Sequence, residues 1–497
     1  MERIPSVAEW MEGKDILITG ATGFMGKVLV EKLLRCCPNL NRLYLVIRNK
    51  RGFEPEERIK EFTRNALFSV LLEKNPNAFD KVTVISGDMS ELGCGISEKN
   101  LKMLQENISI VFHIAATVRF NHPLSVALKM NTRGTYELIK IAKQMKKLEV
   151  FEYVSTTYSN ANLDERIEEK VYPSHLDWKV LLELVETNGD VLDLLLLKLI
   201  WTQPNTYTLS KSLAENIIQD ACKEIPAVII RPSVVISSLD EPIPGWTDNL
   251  NGIMGVTTGC GKGVIRTYKA CPTAALDFVP VDVSINGLVA AAWSKRFFNN
   301  INGDLQVFNQ AYAERYPVTF SEIVNLGLKV AEELPMDNRI WHPFLILTNN
   351  TYYYHFLFFF LQLTPAVLQD LILSLLGREP FLVRLNIKIY NAAIALSDFS
   401  EKVFKFANEK YRSIHERLSP DDRKTYRTNE EEMEIDRYGY VLSVQRGIKE
   451  YIFNEKEEDL PGLRRNQRRL YYIDRATRAL LVGFILWKLV CTISPYL

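Results

Sequence analysis

Ile16-Leu-Ile-Thr-Gly-Ala-Thr-Gly-Phe-Met-Gly26, running on into Lys27-Val-Leu-Val-Glu-Lys-Leu-Leu34, decides the fold. Ile16, Leu17 and Ile18 form a short apolar run that reads as a buried strand. Gly20, Gly23 and Gly26 follow at three-residue intervals, and a helical pattern begins at Lys27. Strand, glycine turn and helix in this order make a phosphate cradle. The glycines let the backbone turn tightly and approach a pyrophosphate, which the positive end of the helix favours. The spacing Gly-x-x-Gly-x-x-Gly is a variant of the dinucleotide-binding turn, and its place between strand and helix gives it weight.

Outward from this stretch, short apolar runs alternate with longer amphipathic ones from about Asp15 to Val235. Strands are expected at Asp15–Thr19, Arg42–Ile47, Val82–Ser86, Ile110–Ile114, Val150–Ser155 and Ala227–Pro232. They are rich in Val and Ile and barely alternate, as when helices cover both faces of a parallel sheet. The expected fold class is therefore α/β, a Rossmann-type doubly wound parallel sheet. The segments starting at Phe278 and Asp304 are expected to add late strands or edges. Near Trp341 the character changes. Tyr352 to Leu376 is apolar on nearly all sides, and charged helical stretches follow from Arg384 to Glu457. At the end, six arginines between Arg464 and Arg478 precede an apolar stretch from Ala479. The expected domains are thus 1–340, a dinucleotide-binding catalytic domain; 341–460, mostly helical; and 464–497, a basic stretch with an apolar helix.

The bulk composition excludes several function classes. Lys+Arg and Asp+Glu balance at 60 each, so no basic excess points to nucleic acid. Seven scattered cysteines form no Cys-x-x-Cys pair, which suits reduced thiols facing the cytosol. Six histidines form no cluster, so no metal site is expected. The polar start, with Glu2, Glu9 and Glu12, does not read as a secretory signal.

Tyr207-Thr-Leu-Ser-Lys211 opens a helical run between the fifth and sixth strands. Four residues apart on a helix, phenol and ammonium share one face. The ammonium is expected to favour phenolate and make Tyr207 a proton relay near neutral pH; Lys211 can also hold a cofactor ribose. Val154-Ser-Thr-Thr-Tyr-Ser-Asn160 places hydroxyls at the carboxyl edge of the sheet, where such sheets bind ligands. Ser155 is the first choice to bond a substrate carbonyl, with Thr156 and Thr157 behind it.

Together these residues resemble the extended short-chain dehydrogenase/reductase superfamily. His113-Ile-Ala-Ala-Thr-Val-Arg-Phe120, Asn131-Thr-Arg-Gly-Thr135, Arg231-Pro-Ser233 and Pro244-Gly-Trp246 resemble one branch of it, the fatty acyl-CoA reductases of animals. The resemblance runs from about Glu9 to the last apolar helix. It implies that Thr19, Gly20, Thr22, Gly23, Phe24, Met25 and Gly26 form the pyrophosphate loop, and that Ala115 and Ala116 lie beside the nicotinamide-side ribose. It assigns catalysis to Tyr207 and Lys211, with Asn131 in support and Ser155 or Thr156 in the hydroxyl role. It also implies a fatty acyl-CoA substrate, reduced twice, first to an aldehyde and then to a primary alcohol, with CoA released. Two features depart from the pattern. The interval from Ser155 to Tyr207 is about twice that of small superfamily members and holds a leucine-rich insert, Asp190 to Trp201. The chain also ends soon after its apolar helix.

The second strand ends Val46-Ile-Arg48-Asn-Lys-Arg51, with no acid for a ribose 2′-hydroxyl. A guanidinium there suits a 2′-phosphate, so NADPH is expected, with Arg48 as main contact and Lys50 or Arg51 assisting. Asp88 is expected to face the adenine. Gly259-Cys-Gly-Lys-Gly263 with Arg266 reads either as a contact for CoA phosphates or as an ordinary basic loop. The last apolar stretch, Ala479 to Leu497, spans roughly 28 Å as a helix. With arginines before it, it is expected to anchor the chain in membrane lipid with the catalytic domain facing the cytosol. A surface helix with Lys488 snorkelling is the alternative. Relatives on endoplasmic reticulum or peroxisomal membranes leave the organelle open. The rival readings are a relative acting on a sterol or sugar nucleotide, and a non-catalytic NADPH-binding membrane scaffold.

Overall fold

The computed structural model describes residues 3–49, 55–200, 203–298, 305–428, 435–456 and 460–493. Strands β1 (Asp15–Thr19), β2 (Arg42–Ile47), β3 (Val82–Ser86), β4 (Ile110–His113), β5 (Val150–Val154) and β6 (Ala227–Pro232) fall within one residue of the expected runs. They are followed by β7 (Val234–Ile236), β8 (Thr267–Lys269), β9 (Phe278–Pro280), β10 (Gln306–Gln310) and β11 (Ile346–Thr348). The main sheet has seven strands in the order β10-β6-β5-β4-β1-β2-β3, and every pairing is parallel. The segments after Phe278 and Asp304 do supply late strands: β9 pairs with β7, and β10 forms the sheet edge.

From β1 the chain winds outward through β2 and β3, then returns to the other side of β1 with β4 and builds outward again. The point where winding reverses lies between β1 and β4, whose last residues, Thr19 and His113, stand side by side. A crevice forms at the carboxyl ends of strands at such a point. Ile16, Leu17 and Ile18 are fully buried, as a strand covered on both faces requires; burial of each stabilises by about 1.5–3 kcal/mol.

The chain divides into two compact units, and each is made of separate stretches. The first comprises Met1–Trp246, Asp277–Pro317 and Phe404–Ile435. It holds the main sheet and helices α1 (Phe24–Cys36), α2 (Pro55–Thr63), α3 (Gly134–Ala142) and α4 (Thr206–Ala221). Between Ser155 and Tyr207 the chain is helical over Trp178–Thr187 and, across the leucine-rich insert, over Gly189–Leu194 and Leu196–Ile200. Leu192 of that insert, with Leu181 and Val185 of the helix before it, packs with Leu209 and Leu213 of α4. Trp201 lies outside the described residues.

The second unit comprises Thr247–Leu276, Val318–Val403 and Asp436–Leu497. Its core joins Val256, Tyr268, Phe320, Val324, Tyr354 and Ala393, beside the two-stranded pair of β8 and β11. Its helices include α5 (Thr351–Leu375), which carries a π-helical turn over Phe358–Leu363, α6 (Leu382–Ala395) and α7 (Leu460–Ile493). Among the described residues, one helix is long and apolar enough to cross a membrane, α5, with a mean hydropathy of 1.8.

Candidate active site

The glycine turn closes on itself. Gly20 has φ +77°, and a Cβ there would lie 2.7 Å from the Ala115 amide nitrogen. A Cβ on Gly26 would come within 2.2 Å of the Gly20 carbonyl oxygen. Side chains are therefore excluded where β1 meets α1 and where the loop after β4 passes it. Gly23 is the N-cap of α1 and offers no side-chain oxygen to its first amides, leaving them available to an anion. Phe24, the first residue of α1, stacks on the buried Trp246 with ring centroids 5.5 Å apart.

Thr19 and His113 lock the two central strands together. Thr19 Oγ1 lies 2.7 Å from His113 Nδ1 and accepts from the Ala115 amide at 3.3 Å. His113 Nε2 lies 3.0 Å from Thr135 Oγ1 on α3. Burial draws the His113 pKa down to about 3, with Lys211 acting in the same direction, so the ring is neutral at physiological pH. Ala115 and Ala116 follow in the loop after β4, both partly exposed.

Asn131 sits in a π-helical turn, Leu128–Arg133, a geometry frequent at functional sites. Its Oδ1 accepts from the Thr117 amide at 2.8 Å, while its Nδ2 donates to the Thr117 carbonyl at 3.1 Å and to Ser210 Oγ at 2.9 Å. Asn131 thus ties the loop after β4 to α4, the helix that carries Tyr207 and Lys211.

Tyr207 and Lys211 do share a face of α4, but their polar ends diverge. The Tyr207 hydroxyl is turned toward the Thr156 side chain, which favours its ionised form, and its ring meets Phe120 edge-on with centroids 5.5 Å apart. The Lys211 ammonium donates to the Val154 carbonyl at 2.6 Å and lies 4.5 Å from the Tyr153 ring centroid. Burial pushes Tyr207 up to about 12 and draws Lys211 down to about 7, with Glu215 opposing the latter. The expectation of a phenolate favoured by the neighbouring ammonium is therefore corrected: desolvation outweighs it, and Tyr207 keeps its proton.

Glu215 is the site residue that sequence reading missed. One turn beyond Lys211, it is almost fully buried. Its Oε1 accepts from Ser155 Oγ at 2.5 Å, Ser159 Oγ at 2.9 Å and Arg231 Nε at 2.8 Å; its Oε2 accepts from Arg231 Nη2 at 2.6 Å. The signal was its spacing, four residues after Lys211 on the same helix face. Ser155 is thus committed to a carboxylate, while Thr156 meets the phenol.

At the outer rim, Arg48 is exposed. A second cation joins it. Arg58 of α2 donates to the Arg48 carbonyl through Nη1, and to Thr22 Oγ1 at 3.2 Å through Nη2. Lys50 and Arg51 lie outside the described residues. Asp88 Oδ1 accepts from the Ser90 amide at 2.8 Å and the Ser90 hydroxyl at 2.7 Å. In the second unit, Arg266 turns inward and donates to the Gly263 and Leu361 carbonyls at 3.1 and 2.9 Å. Of its two readings, the structural one fits this arrangement. No group of metal-ligating side chains occurs among the described residues.

The fold and the glycine turn define a nicotinamide-dependent oxidoreductase of the short-chain dehydrogenase/reductase type. Two family models described as male sterility protein match the chain, an NAD-binding one over residues 18–288 and another over 361–455. Fatty acyl-CoA reductase 1 of Xenopus laevis is 37 % identical over 486 residues, covering 97 % of this chain and 93 % of the relative. Fatty acyl-CoA reductase wat of Drosophila melanogaster is 31 % identical over 485 residues, with the same coverage. The chain belongs to the fatty acyl-CoA reductase family. Among solved structures, its fold is similar to the terminal R domain of the myxalamid PKS-NRPS pathway (TM-score 0.57, 19 % identity, covering 89 % of this chain and 92 % of that one). It is also similar to the reductase domain of a nonribosomal peptide synthetase from Mycobacterium tuberculosis (TM-score 0.56, 18 % identity, covering 90 % and 93 %).

Proposed function

We propose that this enzyme reduces a long-chain fatty acyl-CoA to the primary alcohol in two steps at one site, with NADPH as reductant and CoA released between them. The observation that carries this reading is the Tyr207–Thr156 hydroxyl pair at the carboxyl edge of the sheet, beside the point where winding reverses. The glycine turn fits a dinucleotide, since Gly23 begins the helix with no side-chain cap and leaves its first amides to an anion. Thr19 to Gly26, with Ala115 and Ala116, would hold the pyrophosphate and the nicotinamide-side ribose. Arg48 and Arg58 favour a 2′-phosphate over a hydroxyl by charge. Asp88 is assigned to the adenine side.

Bound there, the nicotinamide supplies a hydride at each reduction. What the chain supplies is polarity and a proton. Tyr207 Oη, protonated across the physiological range, donates to the oxygen of the thioester carbonyl as that oxygen gains charge, and Thr156 steadies Oη and shares the bond. The C–S bond of the resulting hemithioacetal then breaks, giving an aldehyde and CoA thiol. Tyr207, reprotonated, serves the aldehyde oxygen in the same way. Lys211, one turn along, holds the Val154 carbonyl at the end of β5 and so fixes the strand end that carries Ser155 and Thr156. Asn131 and Ser155 position the surrounding loops.

The apolar end of α7 presents Leu480, Phe484, Trp487 and Val490 outward. It supports anchorage in an endoplasmic reticulum or peroxisomal membrane, with the first unit in the cytosol.

The test is NADPH consumption by detergent-solubilised protein with palmitoyl-CoA, alongside Tyr207→Phe. The expected result is two NADPH oxidised per CoA released, a fatty alcohol as product, and loss of turnover in the variant with NADPH binding retained. Aldehyde accumulation would show a single reduction. No oxidation with any acyl chain length would move the assignment to a sterol or sugar-nucleotide substrate, and unchanged NADPH binding without any turnover to a scaffold.

A further inference from the structure

Helix α5 turns its outer face to solvent almost without polar side chains. Between Thr351 and Leu376 the sequence holds one carboxylate, Asp370, and it is turned inward. It accepts from the amides of Phe381, Leu382 and Val383 at 3.1, 2.9 and 2.8 Å, capping α6. Gln362 is only 2 % exposed. Its Oε1 accepts from the Arg266 and Thr267 amides at 3.0 and 2.8 Å, and its Nε2 donates to Asn386 at 3.2 Å. Most of the large apolar side chains point the other way. Tyr352, Phe356, Phe360, Leu368, Ile372 and Leu375 all lie on the outer face, Leu375 at 79 % exposed. With Gln362 and Asp370 turned inward, the outer face is left continuously apolar, which water does not select, on a scale that marks an interaction surface.

The attached flank runs the length of the helix: Tyr354, Leu357, Phe358, Gln362, Ala366 and Asp370 are buried at helical spacing. α5 therefore lies on its unit and does not project from it. Aromatic rings fill the first half of the outer face and aliphatic side chains the second. Exposed Arg378, Arg384 and Lys388 follow, against a single acid, Glu379. That charge balance complements anionic lipid headgroups. The face is also fixed to the C-terminal helix within the same unit. Arg266 donates to the Leu361 carbonyl and lies 5.0 Å from the Trp341 ring centroid, and the Trp341 indole donates to Asp474 of α7 at 2.8 Å.

We propose that the outer face of α5 lies in the plane of a phospholipid bilayer, at the boundary between headgroups and acyl chains, as a membrane contact separate from the C-terminal helix. A second copy of the chain is the competing occupant, and one experiment separates the two. The photo-crosslinker p-benzoylphenylalanine is placed at Phe360, Ile372, Val490 or Lys424 in the full chain. The protein is then reconstituted with phosphatidylcholine–phosphatidylserine vesicles that carry a clickable acyl chain. Exposed Phe360 and Ile372 accept the aromatic probe without disturbing a core, and Lys424, in the first unit, is the background. Lipid adducts at Phe360 and Ile372, with loss of signal at Lys424, are expected. Chain-to-chain adducts at Phe360 and Ile372, or no adduct above background there, overturn the proposal. Val490 reports on the anchor by itself, so failure of the anchor reading leaves a different pattern from failure of this one.

Discussion

Ser155 and Glu215 are joined by a 2.5 Å hydrogen bond in which the serine hydroxyl donates to a carboxylate held by Arg231. The bond matters because the next residue does the opposite. Thr156 has extended backbone, φ −152° and ψ 148°, so adjacent side chains leave on opposite sides of the strand end. Ser155 is drawn into the buried ion pair, and Thr156 meets Tyr207.

This division predicts unequal effects of two neighbouring substitutions. Thr156→Val is expected to lower kcat by about 10²–10³-fold, the range for losing one donor to a developing oxyanion, and Thr156→Ser to restore most of it. Ser155→Ala is expected to change kcat by less than about 10-fold, since the lost bond joins two positioning groups and none of it reaches the reacting oxygen. Steady-state kinetics with acyl-CoA compare them directly. A larger loss at Ser155 than at Thr156 would reverse the assignment.

The Glu215–Arg231 pair is almost wholly excluded from water, with side chains 1 % and 0 % exposed. Removing one partner strands a buried charge. Glu215→Leu or Arg231→Met alone is expected to destabilise the protein by about 3–5 kcal/mol, while the double variant recovers much of the loss. Urea unfolding of the four proteins gives the coupling, and strictly additive losses would contradict it.

His113 makes stability depend on acid. Its folded-state pKa is depressed from 6.5 to about 3, chiefly by burial. Below pH 6.5 the unfolded chain takes up a proton that the folded one refuses. Its contribution is therefore fully present above pH 6.5 and is lost as pH falls towards 3, about 5 kcal/mol in all at about 1.4 kcal/mol per pH unit. Unfolding free energies measured across that window should slope less steeply in His113→Asn. An identical slope would place the acid sensitivity elsewhere.

The cofactor preference rests on Arg48 and Arg58. Arg48→Ala and Arg58→Ala are each expected to raise the KM for NADPH by about 10–100-fold, corresponding to about 1.5–3 kcal/mol for a charge-assisted contact. The KM for NADH should stay unchanged. An equal rise for both cofactors would mean that these cations shape the loop and do not read the phosphate.

The sheet was legible because strands covered on both faces leave unbroken Val- and Ile-rich runs, and helices between them leave none. The glycine turn and the Tyr207/Lys211 spacing were legible because each is a local pattern. Three features were not. Which hydroxyl meets Tyr207 depends on the rotation of the chain at the end of β5, and Ser155 and Thr156 offer the same chemistry in sequence. Glu215 takes its meaning from Arg231 on a different element. The expected phenolate failed because a spacing rule gives proximity without solvation, and burial decides the titration of both partners. For α5, a stretch apolar on all sides does not say which face packs inward; Gln362 and Asp370 reveal it only through their partners.

The first unit depends on distant chain. Glu169, in the loop beyond β5, accepts from the Lys410 and Tyr411 amides, more than 240 positions later. Lys32 of α1 donates to the Thr425 carbonyl, and Cys37 meets the Tyr426 hydroxyl at 3.3 Å. During synthesis all seven strands emerge before any of these partners exists. At about 5–20 residues per second, the nascent sheet waits several seconds before Thr425 and Tyr426 reach Lys32 and Cys37. In that interval the newborn chain is a client for chaperones, and a ribosome stalled near residue 400 releases a protein whose sheet is complete and whose fold is not.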